Sequence, residues 1–132
     1  MASIVNFSEA ASIAIHGMIL IAKSDKYINV QEIAEKLGSS KHHVAKVMQR
    51  LTKEEYITSF RGPTGGFILL KKPNEITFLD IYETIEGRIK ISTCPFENGL
   101  CGFHKCILNN VTSVMLNQFK DYMKLQTLDM FI

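Results

Sequence analysis

Two amphipathic helical patterns, separated by only three residues, constrain the fold of this chain more than any other feature of its sequence. In the first, "VQEIAEKLG", Ile33, Ala34 and Leu37 share one helical face and Gly38 is typical of a helix end. The second, "SSKHHVAKVMQRLTKEEY", starts with a serine cap and then repeats apolar residues at i, i+3, i+4 and i+7. These apolar residues are Val44, Val47, Met48 and Leu51. Two such helices joined by a Gly-Ser-Ser turn predict a helix-turn-helix.

A β-hairpin is predicted directly after the second helix. Two β-prone runs, 57–60 and 67–70, flank the turn-rich sequence Arg-Gly-Pro-Thr-Gly-Gly. A hairpin in this place is the wing of a winged helix. One further helix is expected before this unit, from Ser8 to Lys23 with Asn6 or Ser8 as cap, and one after it, from Thr77 to Gly87. The predicted fold class is therefore mainly α with a small β-hairpin wing.

The positive charge is concentrated in residues 41–72. This segment carries seven basic and two acidic residues, although the net charge of the whole chain is only +2. Such an excess is compatible with an anionic partner such as a DNA backbone and equally with a solvated lysine-rich surface. Charge, helix order and hairpin together favour binding of double-stranded DNA. The candidate DNA-binding residues are Ser40, Lys41, His42, His43, Lys46, Gln49, Arg50, Arg61, Gly62 and Thr64. We expect Ser40 and Lys41 at phosphates, Arg61 in a minor groove, and the middle of the helix at base edges.

A long C-terminal helix is predicted from about Ile107 onwards, over about twenty residues. Its apolar stripe consists of Leu108, Val111, Met115, Tyr122 and Leu125, with Phe119 beside it. We expect this stripe to pack against a second copy of the chain, because operators with two half-sites favour a twofold protein; packing onto its own domain is the alternative. The expected division is a winged helix-turn-helix over 1–75, followed over 76–132 by a helix, a cysteine loop (93–106) and the dimerisation helix.

The loop "TCPFENGLCGFHKC" contains every cysteine of the chain, Cys94, Cys101 and Cys106, together with His104. Three cysteines cannot all pair within one chain, so metal binding or redox chemistry is the favoured use. A Cys₃His zinc site and thiol sensing through a disulfide are both compatible with these residues. Neither a phosphate loop nor a spaced Ser-His-Asp set occurs, so the chain is not expected to be an enzyme.

The apolar run at 13–22 is interpreted as part of a buried helix. It contains His16 and Gly17, lacks a basic region before it and is too short to cross a bilayer. We therefore expect a cytoplasmic protein that does not bind membranes.

The whole chain resembles a family of small bacterial winged-helix regulators. That family includes the iron–sulfur cluster regulator, the nitric-oxide-sensitive repressor and the cysteine-metabolism repressor. The resemblance lies in "FSEAASIAIHGMILIA", "VQEIAEKLGSSKHHVAKVMQRL" and "RGPTGGFILLKKPNEITFLDIYETIEG", and in the cysteine loop. It implies a dimeric DNA-binding regulator, in many members a repressor, whose long helices cross at the dimer interface.

The resemblance also implies a cofactor, because some members hold a [2Fe–2S] or [4Fe–4S] cluster on three loop cysteines and others lack the cysteines. Cys94, Cys101 and Cys106 match that pattern, and a fourth ligand is then needed. A family histidine three residues after the last cysteine is replaced here by Asn109. Glu9 of the partner subunit is the next candidate, and His104 a further one. The alternative is a winged-helix regulator without a cluster, acting by thiol redox, by structural zinc or by docking a partner protein.

Overall fold

The computed structural model describes residues 6–90, 102–105 and 107–132. The described part contains five α-helices, one two-stranded antiparallel sheet and two short 3₁₀ turns. The helices are α1 (Glu9–Lys23), α2 (Val30–Leu37), α3 (Lys41–Lys53), α4 (Phe78–Glu86) and α5 (Val111–Leu125). The strands are β1 (Ile57–Phe60) and β2 (Gly66–Leu69), and the 3₁₀ turns are Pro73–Glu75 and Leu128–Phe131. The predicted fold class, mainly α with a hairpin wing, is confirmed.

Side-chain caps fix the starts of the first three helices. The hydroxyl of Ser8 accepts a hydrogen bond from the Ala11 amide, and Asn29 and Ser40 cap α2 and α3 in the same way. Gly38 ends α2 in the left-handed conformation, at φ 65°. Because α2 ends at Leu37 and α3 begins at Lys41, the two helices form the tight helix-turn-helix expected from the sequence.

The hydrophobic core is one cluster that draws residues from all five helices, and the contact between α1 and α3 is part of it. Val44, Val47, Met48 and Leu51, the predicted stripe of α3, are all buried. The two helices approach closely at Gly17, where an added Cβ would lie 2.6 Å from the terminal methyl of Met48. Non-directional apolar packing therefore holds α3 against α1.

Two glycines allow the wing to close on itself and on the preceding loop. Phe60 pairs with Gly66 next to the turn of the hairpin and Ile57 with Leu69 at its open end. A Cβ at Gly65 would lie 2.1 Å from the Phe60 carbonyl oxygen, and one at Gly66 2.5 Å from that of Ile28. Phe67 exchanges backbone hydrogen bonds with Ile28, so the hairpin is anchored to the loop before α2.

The α4 helix begins with the expected capping box, formed by Thr77 and Asp80, and ends at Gly87. The α5 helix differs from the expectation because it begins at Val111 and not near Ile107, and it is 15 residues long. Asn109 and Asn110 adopt positive φ angles of 50° and 57°, which a right-handed helix cannot contain.

The α5 helix has two apolar faces. Leu116 and Met123 are buried, and the ring of Phe119 meets Tyr82 of α4 edge-on at 5.2 Å between ring centroids. The other face carries four residues of the predicted stripe, Val111, Met115, Tyr122 and Leu125, together with Val114, and these side chains are between 46% and 69% exposed. Leu108, the first residue of that stripe, lies before the helix. Beyond α5, Leu128 is fully buried and its amide donates to the Ile76 carbonyl, so the last residues pack into the shared core just before α4.

Candidate nucleic-acid interface and cysteine segment

The outer face of α3 is a row of polar and cationic side chains. Lys41, His42, Lys46 and Gln49 are exposed, and they form neither a hydrogen bond nor an ion pair with any described residue. The hydroxyl of Ser40, at the start of the row, accepts a hydrogen bond from the His43 amide at 3.1 Å. The start of α3 thus presents amides, a hydroxyl and one lysine that can contact phosphate. The exposed side chains of His42, Lys46 and Gln49 that follow have no partner among the described residues and are available as hydrogen-bond donors.

The wing and the start of α3 share one cleft. Lys41 lines it from α3, and Arg61 and Gly62 line it from the wing, around a volume of about 440 Å³. Asn29 and Gln31, at the start of α2, line the same cleft and were missed by the sequence analysis. The sequence signal that points to them is the start of a helix at Val30, eleven residues before the basic segment begins at Lys41.

The tip of the wing is a tight exposed turn. The Gly65 amide donates to the Gly62 carbonyl at 3.0 Å, and Gly62 adopts a φ of 117°, which favours glycine. Arg61 and Thr64 are exposed on either side of Gly62 and Pro63. Below the tip, the rings of Tyr27 and Phe60 pack at 4.7 Å between centroids, so that the strand leading to Arg61 is supported.

Arg50 lies differently from the other candidate DNA contacts. Its Nη2 atom donates to the backbone carbonyl of Thr84 at 2.9 Å and to that of Ile85 at 2.7 Å. Both carbonyls belong to the last turn of α4, so this nitrogen of the guanidinium is directed to the protein itself.

His43 lies beside Glu9 at the junction of α3 and α1. The Nδ1 atom of His43 is 3.6 Å from Oε1 of Glu9, a distance that allows an ion pair when the imidazole is protonated. The Glu9 side chain is 66% exposed. It also lines a second cleft, of about 320 Å³, between α1 and the turn that joins α2 to α3, together with His16 and Ser39.

The proposed cluster ligands of the loop are only partly covered by the structure. Cys94, Cys101 and Cys106 lie outside the described residues. His104 is described and exposed, in the short stretch 102–105. No group of three or more His, Cys, Asp or Glu side chains arranged to hold a metal occurs within 6–90, 102–105 and 107–132. Across the same residues, no helix combines the length and the apolar character needed to span a bilayer.

Comparison with known proteins identifies relatives over nearly the whole chain. The sequence model of the Rrf2 family, described as iron-dependent transcriptional regulator, matches residues 7–132. A protein of Aquifex aeolicus (strain VF5), provisionally assigned as an HTH-type transcriptional regulator, is 30% identical over 89% of this chain and 85% of its own length. The HTH-type transcriptional regulator IscR of Pectobacterium carotovorum subsp. carotovorum (strain PC1) is 26% identical over 77% of this chain. This match spans 62% of the IscR chain.

The fold is likewise that of a solved regulator. The structure of CymR, the global cysteine regulator of B. subtilis, superposes with a TM-score of 0.79. The superposition covers 95% of this chain and 94% of CymR, at 22% sequence identity.

Proposed function

The chain belongs to the Rrf2 family of iron-dependent, DNA-binding transcriptional regulators, and from that membership we propose a dimeric repressor that senses cellular state through its cysteine segment. The signal is redox state, nitric oxide or iron–sulfur status, and the sensor is an iron–sulfur cluster held by Cys94, Cys101 and Cys106. The repressor acts in the cytoplasm, where its operator lies. The observation that carries the DNA-binding assignment is the cleft shared by Lys41 and Arg61 beside the unbonded face of α3.

The α3 helix reads the major groove in this proposal, and the wing contacts the adjacent minor groove. Ser40, Lys41 and the first amides of α3 bind phosphate and fix the register of the protein on DNA. Side chains one turn further along read base edges: His42, His43, Lys46 and Gln49. At the wing, Arg61 enters the minor groove while Gly62 and Thr64 approach the backbone. Arg50 is not included, because its Nη2 atom is bonded to α4.

Dimerisation through α5 is supported by the exposed apolar face of that helix. Five large apolar side chains lie along it, and a contiguous exposed patch of this kind marks an interaction surface in soluble proteins. The opposite face of α5 packs on α4, so each copy presents a helix already fixed to its winged unit. An isologous pair of such helices gives the twofold symmetry that two operator half-sites require.

The donor chemistry of the segment fits an iron–sulfur cluster. Thiolates are the usual ligands of these clusters, and three are available within thirteen residues. A fourth ligand is supplied by Glu9 of the partner subunit or, failing that, by His104. Both side chains are exposed and accessible. When bound, the cluster supplies a centre that oxygen or nitric oxide can modify.

Gel-shift titration with the upstream region of the protein's own gene tests the proposed function. We expect a specific shift that an unrelated duplex of equal length does not compete, and we expect it to change after exposure to oxygen or nitric oxide. A shift that is equally strong on both duplexes would contradict operator recognition. A specific shift that does not change after exposure to oxygen or nitric oxide would support the alternative of a regulator without a cluster. Zinc analysis of the protein would then show whether it contains a structural zinc ion.

A further inference from the structure

Arg50, a residue of α3, caps the C-terminal end of α4. The last turn of α4 contains no basic residue, and its final carbonyls have no partner within the helix. Arg50 reaches across from α3 and donates to two of them, at Thr84 and Ile85. A cation at a helix C-terminus is favoured both by these hydrogen bonds and by the helix dipole. Arg50 therefore acts as a cap supplied from the recognition helix.

The same turn of α4 also holds the start of α1. The carboxylate of Glu86 accepts hydrogen bonds from the Ser8 hydroxyl and from the Asn6 amide group, the latter at 3.1 Å. The Tyr82 hydroxyl donates to the Asn6 carbonyl at 2.8 Å. Ser8 is itself the N-cap of α1. One helical turn thus connects the beginning of α1 with the middle of α3.

These contacts differ in kind from the packing of α3 on α1. Apart from the exposed His43–Glu9 pair, the contact between those two helices is largely apolar, through side chains such as Met48, and apolar attraction is not directional. Hydrogen bonds from a planar guanidinium to two fixed carbonyls are directional. Arg50 is therefore the described contact best suited to fix the rotation of α3 about its own axis.

We propose that Arg50 is a positioning residue for DNA recognition, which orients the base-reading face of α3 by fastening it to the last turn of α4. This inference rests on the proposed reading of DNA by α3. The α4 turn continues through Gly87 towards the cysteine segment, and the Ile89 amide is bonded to Glu83 of the same turn at 2.9 Å. If the chain after α4 moves, the last turn of α4 moves with it, and the hydrogen bonds of Arg50 transmit this movement to α3.

The test compares Arg50→Met, Arg50→Lys and Lys46→Met in the full-length chain. Operator affinity, affinity for unrelated DNA and the salt dependence of both are measured well below the melting temperature, and amide hydrogen exchange is measured without DNA. For Arg50→Met we expect roughly a tenfold loss of operator affinity, equivalent to about 1.4 kcal/mol. Affinity for unrelated DNA and the salt slope should stay unchanged, while exchange in the last turn of α4 becomes faster. Arg50→Lys keeps the charge but loses the planar guanidinium, so it should recover only part of the operator affinity.

Lys46→Met is the matched control for a direct contact on the same helix. Because Lys46 is assigned to a base edge, its removal should lower operator affinity and leave hydrogen exchange of the free protein unchanged. The proposal is overturned if Arg50→Met behaves like this control, or if it accelerates exchange in α4 without any loss of operator affinity. If Arg50→Met does not fold, operator affinity and hydrogen exchange in α4 are measured for Arg50→Lys, and the same two outcomes overturn the proposal. Absence of specific binding by the wild type would instead refute the proposed function, and the exchange data would still report the Arg50 contact.

Discussion

The Nδ1 atom of His43 lies 3.6 Å from Oε1 of Glu9, and this pair joins the start of α1 to the first turn of the recognition helix. The family resemblance implies that Glu9 is a ligand of the cluster in the partner subunit, and the helix pattern predicts that His43 contacts DNA. If Glu9 ligates the cluster of the partner through one carboxylate oxygen, the charge and the position of the oxygen that faces His43 change. Cluster ligation and the conformation of His43 are therefore expected to be coupled.

Replacing Glu9 with Ala should leave the dimer folded but make the cluster labile in oxygen or alter its absorption spectrum. The effect on stability should be small, below about 1 kcal/mol, because the pair with His43 is largely exposed. Absorption spectra recorded during exposure to air measure the lability. Asp25→Ala, at an exposed position after α1, is the control. Equal spectra and equal decay rates for Glu9→Ala and wild type would exclude Glu9 as a ligand.

Lys46→Ala and Arg61→Ala should each weaken operator binding without unfolding the protein. A lost base contact costs roughly 1–3 kcal/mol at one operator position, whereas a lost phosphate contact weakens all sequences and lowers the salt slope. Fluorescence anisotropy at several salt concentrations separates the two cases. Lys53→Ala, exposed at the end of α3, should have little effect. Operator affinity unchanged in both variants at matched salt would remove α3 and the wing from the DNA interface.

The sequence was sufficient to predict the helices and the hairpin of the winged helix-turn-helix. The caps Ser8, Ser40 and Thr77, and the end of α2 at Gly38, follow from short-range chemistry that a sequence displays directly. The strand predicted at 67–70 is shifted by one residue, to Gly66–Leu69. Spacing alone also gave the buried face of α3, because an amphipathic period is a local property.

Contacts between distant segments were not predictable in this way. Arg50 lies on the outer side of the α3 pattern, and nothing in its neighbourhood reveals that the carbonyls of Thr84 and Ile85 come within reach. The start of α5 at Val111 depends on the positive φ angles of Asn109 and Asn110, which asparagine tolerates without requiring them. The two-sided nature of α5 likewise appears only when α4 is in place.

Met115→Lys should shift the protein from dimer to monomer. Met115 is exposed on the apolar face of α5, and an isologous interface buries it twice. Loss of each buried methionine costs roughly 1.5–3 kcal/mol, so the dimer should dissociate at least about a hundredfold more readily. Sedimentation equilibrium measures this, with Lys124→Glu, an exposed position of the same helix outside the apolar face, as control. A Met115→Lys protein that remains dimeric at wild-type concentrations would contradict dimerisation through this face.

Tyr82→Phe should reduce the loss of stability in alkaline solution. Burial raises the pKa of Tyr82 above its usual value near 10, and the Glu86 carboxylate adds to the rise. Below the unfolded pKa both states keep the proton, but above it the unfolded state loses the proton first. Stability therefore falls as pH rises from about 10 through the folded pKa, by at most about 1.4 kcal/mol per pH unit for one group.

Urea unfolding between neutral pH and pH 11 gives the slope for wild type and variant. Tyr56, whose pKa burial also raises, contributes in the same direction, so Tyr56→Phe should add to the effect. Equal slopes for wild type and Tyr82→Phe would show that this hydroxyl titrates alike in both states.

The most direct test of cluster sensing is the absorption spectrum of the protein purified without oxygen, combined with iron and sulfide analysis and compared with Cys101→Ala. We predict a brown wild-type protein with visible charge-transfer bands, iron and acid-labile sulfide in equal amounts, and loss of all three in the variant. The dimer should persist in Cys101→Ala, because the apolar face of α5 does not depend on a metal. A colourless wild-type protein that contains zinc or no metal, or a Cys101→Ala variant with the wild-type spectrum, would contradict the cluster on these cysteines.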